Sequence, residues 1–170
     1  SAGGSEDASL HILDVASARD LGQTFPRVHE ALIGWLPDSR SLTFNQLKVP
    51  TPGEPDTERF LDTRVMWHTV GNATDKAQAV FGPTATPKLG LARLDVASIT
   101  FAPGSPWMIA RTTDTTLPEG LLFVARVADM GKPTMALSVR ERIASILERQ
   151  DQWDRAIQTL LEISHSYLVL

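Results

Sequence analysis

Cysteine is absent from the 170 residues, which excludes disulfides, thiolate nucleophiles and cysteine-ligated zinc. Aromatic residues make up only 6%, and the four tryptophans among them read as core or rim packing residues. No apolar run approaches the roughly 18 residues of a membrane helix, and no secretory hydrophobic region opens the chain. Positive charge is not in excess: the net charge of −4 argues against a nucleic-acid binder that works by neutralising phosphates. No G-x-S-x-G, P-loop or GxGxxG is present, so serine hydrolase, NTPase and dinucleotide-binding readings have no footing. His11, His29, His68 and His165 are scattered without HExxH spacing, and no metal site is expected. Asn72-Ala-Thr74 matches a glycosylation acceptor, a triplet that arises often by chance.

What is present is an ordinary globular composition, with 42% hydrophobic and 21% charged residues. The length suits one domain with its own core. Residues 1–9 are small and polar and are expected as a tail, leaving 10–170 as a single, cytoplasmic domain. Within it, Pro26 fits a helix start, and Val28, Leu32 and Trp35 at i, i+4 and i+7 predict a helix that Pro37 stops. Leu10–Val15 is strand or helix. Ser41–Val49 and Val65–Val70 read as strands, Ala73–Phe81 is ambiguous, and Leu89–Ala102 is the longest strand candidate.

That strand leads into a hairpin across Pro103-Gly-Ser-Pro106, whose second arm carries Arg111, a fixed cation near Trp107 suited to a flat anionic ligand. Leu121–Val127 follows as a further strand. Ser138-Val-Arg-Glu141 has the form of a capping box, with Val139, Ile143, Ile146 and Leu147 at helical spacing, and predicts a helix over 139–150. The tail to Leu170 is compatible with a continued helix or with a closing strand. No internal repeat is evident at this level. The expected architecture is α+β, an antiparallel sheet with helices packed on one face.

Five stretches resemble the bacterial chorismate pyruvate-lyase family in family order: Trp35–Thr43 with Leu47, Gly104–Thr112, Asp129–Met135, Trp153-x-Arg155, and Leu160-Leu-Glu162. Val96 stands where that family carries a substrate-holding arginine, with Arg93 three residues earlier. The resemblance implies a cofactor-independent lyase that removes pyruvate from chorismate, acting on a small anionic aromatic or cyclohexadiene acid. By position, Glu162 would be the general acid, Arg111 or Arg93 would pair with a carboxylate, and Leu42 and Met135 would line the ring pocket. Two other classes remain open: a non-catalytic aromatic-acid-binding module on a similar sheet, and a GAF-like sensor or interaction domain.

Overall fold

The computed structural model describes residues 8–114, 119–132, 135 and 138–144. Nine strands run through them: β1 (Ala8–Asp14), β2 (Arg19–Trp35), β3 (Ser41–Gln46), β4 (Arg64–Thr69), β5 (Gln78–Phe81), β6 (Asp95–Phe101), β7 (Trp107–Asp114), β8 (Glu119–Arg126) and β9 (Ser138–Ala144). Strands β1 to β5 form one antiparallel sheet in sequence order, and β6 to β9 form a second. The only helical pieces among the described residues are 3-10 turns of three to five residues. The α+β expectation is therefore wrong: the antiparallel pairing is present, but no helix covers a sheet face.

Both predicted helices fail for one physical reason. Residues four apart share a face in a helix and also in a strand, so an i, i+4 spacing does not separate the two. Val28 and Leu32 belong to β2, where burial alternates over Gln23–Pro26 and again over Leu32–Leu36, while Val28 and His29 between them are both buried. The alternation slips by one at Arg27, which takes a left-handed φ of 58°, and the β2–β3 register shifts after Val28. This bulge hid the period of two. Ser138–Ala144 is likewise strand β9, in register with β8 through Val139 opposite Phe123. The remainder of the predicted helix, and the tail, lie outside the described residues.

The bulge also divides β2 by function. Its second half stays in the sheet, with Ile33 opposite Phe44 and Trp35 opposite Leu42. Its first half, paired with β1, folds back over the sheet's outer face. Phe25 meets Phe44 and His68 with ring centroids 4.7 Å away in each case. The Gln23 side chain donates to the Asn72 carbonyl and to His68 Nε2, and accepts from the Gly71 amide. Ile12, Phe25, Val28, Leu42, Phe44 and Met66 thus close one core.

A second core lies between the two sheets, built by Leu36, Val65, Val80 and Phe81 from the first and by Ala97, Ile99, Met108, Ala110, Phe123 and Ala125 from the second. Phe81 and Phe123 meet edge to face across it at 5.5 Å. The chain is consequently three stacked layers: a two-stranded ribbon, a four-stranded sheet and another four-stranded sheet. Strand β3 is buried at every position because it is the middle layer, with Leu42 and Phe44 facing the ribbon and Thr43 and Asn45 facing the second sheet. Its residues still alternate polar and apolar, since the second buried face carries the hydrogen-bonded Thr43 and Asn45.

The two sheets also repeat one another. Ile33-Gly-Trp-Leu-Pro-Asp-Ser39 and Ile99-Thr-Phe-Ala-Pro-Gly-Ser105 align with an offset of 66 (99 − 33 and 105 − 39), each as an inner strand entering a tight turn. The same turn hydrogen bond closes both, Ser39 N to Leu36 O at 3.0 Å and Ser105 N to Ala102 O at 3.1 Å. An internal repeat is present after all.

His68 supplies a pH test of the ribbon's docking. Burial lowers its pKa from the ordinary 6.5. The unfolded chain therefore takes up this proton at a higher pH than the folded one, and the stability present above about pH 6.5 is lost as pH falls below it. Thermal unfolding midpoints should drop between about pH 7.5 and about pH 5.5, and a His68→Gln variant should show a smaller drop; equal drops would remove His68 from the explanation.

Candidate functional site

The seam between the sheets is the most constrained place in the molecule. Gly34 on β2 faces β6 so closely that a Cβ there would lie 2.9 Å from the Ile99 carbonyl oxygen and 3.3 Å from the Phe101 ring. Beside it, the buried Asn45 donates to the Ala97 carbonyl at 2.7 Å and to Thr63 Oγ1 at 3.2 Å, and Thr63 donates to the Asp95 carbonyl. These polar groups on β3 and the β4 approach hold the β6 backbone directly, sheet to sheet.

At one end of the seam a charged network reinforces it. Arg93, just before β6, donates to Asp62 at 2.9 Å and to Glu58 at 2.8 Å, and Lys48 donates to Glu54 and Glu58. The Thr51 amide, then Lys48, hold the Glu54 carboxyl at about 2. A shallow groove of about 530 Å³ opens between the Ala85–Leu89 segment and Gly131, Lys132 and Met135, apolar apart from Thr86, Lys88 and Lys132.

The residues singled out in the sequence do not converge. Leu42 is core beneath the ribbon. Arg111 pairs with Ser98 and Leu122 across the second sheet, on the face that looks away from the first. Leu42 and Arg111 thus sit on adjacent sheets about 10 Å apart and face in opposite directions. Arg93 is committed to Asp62 and Glu58, Met135 borders the groove, and Glu162 lies outside the described residues. Trp107 carries the guanidinium of Arg126, 4.6 Å from its ring centroid.

The chemistry of the rest is that of a scaffold. His11 touches both Asp20 and Thr24, but both contacts fall on Nδ1, so no proton relay through the ring can form. Among the described residues no group of three or more histidines and carboxylates is placed to hold a metal. No described helix is long and apolar enough to cross a membrane.

Stacked, repeated four-stranded antiparallel sheets are the construction of a β-propeller. The family model for the prolyl oligopeptidase N-terminal beta-propeller domain matches residues 1–98, more than half of the chain. The chain belongs to that family. Solved structures agree in fold. One, from work on two prolyl endopeptidases and the role of inter-domain dynamics, superposes at a TM-score of 0.65 with 19% identity, covering 83% of this chain and 18% of that one. Prolyl oligopeptidase B from Galerina marginata, bound to a 35mer hydrolysis and macrocyclization substrate, gives 0.64 with 15% identity over 82% of this chain and 20% of its own. The propeller chain thus spans about a fifth of the length of these peptidases. No curated protein matches it.

These findings overturn the chorismate lyase resemblance, the lyase activity inferred from it, and the small aromatic acid as its ligand; they support neither a GAF-like domain nor an effector-binding module. The five short stretches that carried the resemblance are blade features where they can be seen: Trp35–Thr43 and Gly104–Thr112 are the two equivalent turns between inner strands. The missed signal was their mutual similarity, which outweighs the likeness of either to an unrelated enzyme.

The seam makes a direct prediction. Gly34→Val should destabilise the protein by about 2 kcal/mol or more, because the new side chain meets fixed backbone, and Asn45→Ala by about 1–3 kcal/mol. Denaturant unfolding of both variants checks this; a neutral Gly34→Val would mean that the sheets do not meet there.

Proposed function

We propose that the chain forms blades in the propeller of a prolyl oligopeptidase-type peptidase, a non-catalytic part that meets the peptide substrate while another domain hydrolyses it. The observation that carries this reading is the pair of repeated, stacked antiparallel sheets, with a family match over residues 1–98 that spans the whole of the first sheet and the start of the second. A propeller closes a ring of typically four to eight such blades around a channel, and a ring of that kind set against a catalytic domain controls what reaches it. The similar structures are peptidases, one holding a 35mer substrate and another studied for inter-domain dynamics in catalysis and specificity. Peptides are accordingly the partner class that fits.

The isolated protein should not hydrolyse a proline-containing chromogenic peptide. Substituting residues 8–144 for the matching blades of a prolyl endopeptidase should preserve cleavage of short proline peptides, with kcat/KM within about tenfold of the parent, or about 1.4 kcal/mol. A chimera that folds its catalytic domain yet fails to assemble a propeller, or cleavage by the isolated chain, would defeat the proposal.

A further inference from the structure

The shallow groove beside the seam takes no part in the propeller reading, and its walls come from both sheets. One wall is the connection that leaves β5, the other the connection that leaves β8. Each is a run of tight turns closed by its own backbone. Thr86 donates its amide and its hydroxyl to the Gly82 carbonyl, at 2.9 Å in each case, and the Leu89 amide reaches the Thr86 carbonyl at 3.0 Å. Opposite, the Met130, Lys132 and Met135 amides bond back to Val127, Asp129 and Lys132. Gly131, with a left-handed φ of 74°, lies so close to Trp67 that a Cβ there would be 3.0 Å from its ring. A groove between walls of this kind is formed before any ligand arrives, so binding costs little ordering.

The lining combines an apolar floor with charge of one sign. Val80, Leu89 and Met135 are its larger apolar residues, and all three also pack with the inter-sheet core. The charged residues of the lining are Lys88 on one wall and Lys132 on the other, with no carboxylate. Lys132 has one loose partner, Asp129 at 3.5 Å, and keeps 57% of its side chain exposed. Lys88 is exposed and makes no ion pair among the described residues. Lys48 and Arg93, by contrast, are each shared between two carboxylates. In a chain whose net charge is −4, this rim is a local reversal of sign.

We infer that this groove docks a short acidic peptide segment, an extended stretch in which one apolar side chain stands between two carboxylates. Successive side chains of an extended segment point to opposite sides. An apolar residue directed onto Val80, Leu89 and Met135 therefore leaves its two neighbours directed toward the rim, where Lys88 and Lys132 stand on facing walls. The volume of about 530 Å³ falls within the range of about 300–1,000 Å³ usual for ligand sites. Lysine is a point charge on a flexible stem and imposes no fork geometry, so the groove selects charge and an anchor in place of one exact sequence. That the occupant is a peptide rests on the peptidase reading; the groove, its apolar floor and its cations do not.

The test is a titration of the isotope-labelled protein with the terminally blocked peptide Gly-Glu-Leu-Glu-Gly, followed by amide chemical shifts. Saturable shifts should centre on the amides of Thr86, Lys88, Leu89, Gly131 and Lys132, with a Kd of about 1 mM or tighter. Gly-Lys-Leu-Lys-Gly and Gly-Glu-Gly-Glu-Gly should each bind at least about tenfold more weakly. Raising salt from about 50 mM to about 500 mM should weaken the acidic peptide by about threefold or more. The double variant Lys88→Glu, Lys132→Glu should lose at least about tenfold in affinity while its unfolding midpoint stays within about 2 °C, since both side chains are exposed. Lys88→Gln alone should lose about threefold, which keeps the test independent of how well the double variant folds. No saturable shift at about 5 mM peptide, or shifts centred elsewhere, would overturn the inference. So would equal binding of Gly-Glu-Gly-Glu-Gly, which would reduce the groove to surface charge, or binding that survives both lysine variants. The titration reads the groove of the isolated chain, so it can fail while the peptidase chimera cleaves, and the converse.

Discussion

The two antiparallel sheets stack through interdigitating side chains over most of their seam, but at Gly34 they approach with no side chain between them, and this close contact sets how the rest of the seam meets. With no Cβ there, β2 can sit against the Ile99 carbonyl and the Phe101 ring, and Asn45 and Thr63 come within hydrogen-bonding reach of the β6 backbone. The apolar part of the seam then closes behind this contact, through Phe81 on Phe123. Farther out, Arg93 and Lys48 bind the acidic Glu54–Asp62 segment across the end of the sheets. Exposed pairs of that sort contribute modestly and are screened by salt, so they trim the seam rather than create it. Burial of the core supplies most of the stabilisation, the close contacts at Gly34 and Asn45 set its geometry, and charge adds least.

The same constraint explains why the chain carries no evident chemistry of its own among the described residues. Its polar side chains at buried positions are spent on backbone: Asn45 on Ala97, Gln23 on Asn72 and Gly71, Gln46 on Pro26. An amide side chain engaged in this way is a fastener between strands and layers. In the propeller reading proposed above, the fold's context, and no single described residue, carries the functional reading.

How much of this was legible beforehand varies by element. The strands at Ser41–Gln46 and Arg64–Thr69, and the hairpin around Pro103–Pro106, are readable because β-branched and aromatic residues are bounded by Pro and Gly turns. Strand β2 is not, since the bulge at Arg27 breaks its alternation, and its apolar residues Val28, Leu32 and Trp35 fall at helical spacing although Trp35 is exposed. Strand β9 fails likewise, aided by a chance Ser-x-x-Glu. The repeat at an offset of 66 was within reach, carried by two Ile/aromatic/Pro/Ser patterns, but a likeness to an enzyme motif at each of them separately drew attention from their likeness to each other. The candidate site residues were displaced for a further reason: Leu42 and Arg111 lie on strands of different sheets, facing opposite ways.

By itself the sequence determined that the chain is globular, free of disulfides and built largely from hairpins, because composition and turn residues act locally. It also held, in duplicated turns, the unit from which the whole is made. Only the tertiary structure decided that those hairpins stack as layers with no helix over them among the described residues, and that Ile99 is covered where its counterpart Ile33 is exposed. Coverage depends on which strands come to lie over a face, and that is a property of the packed layers, which no local pattern of residues records.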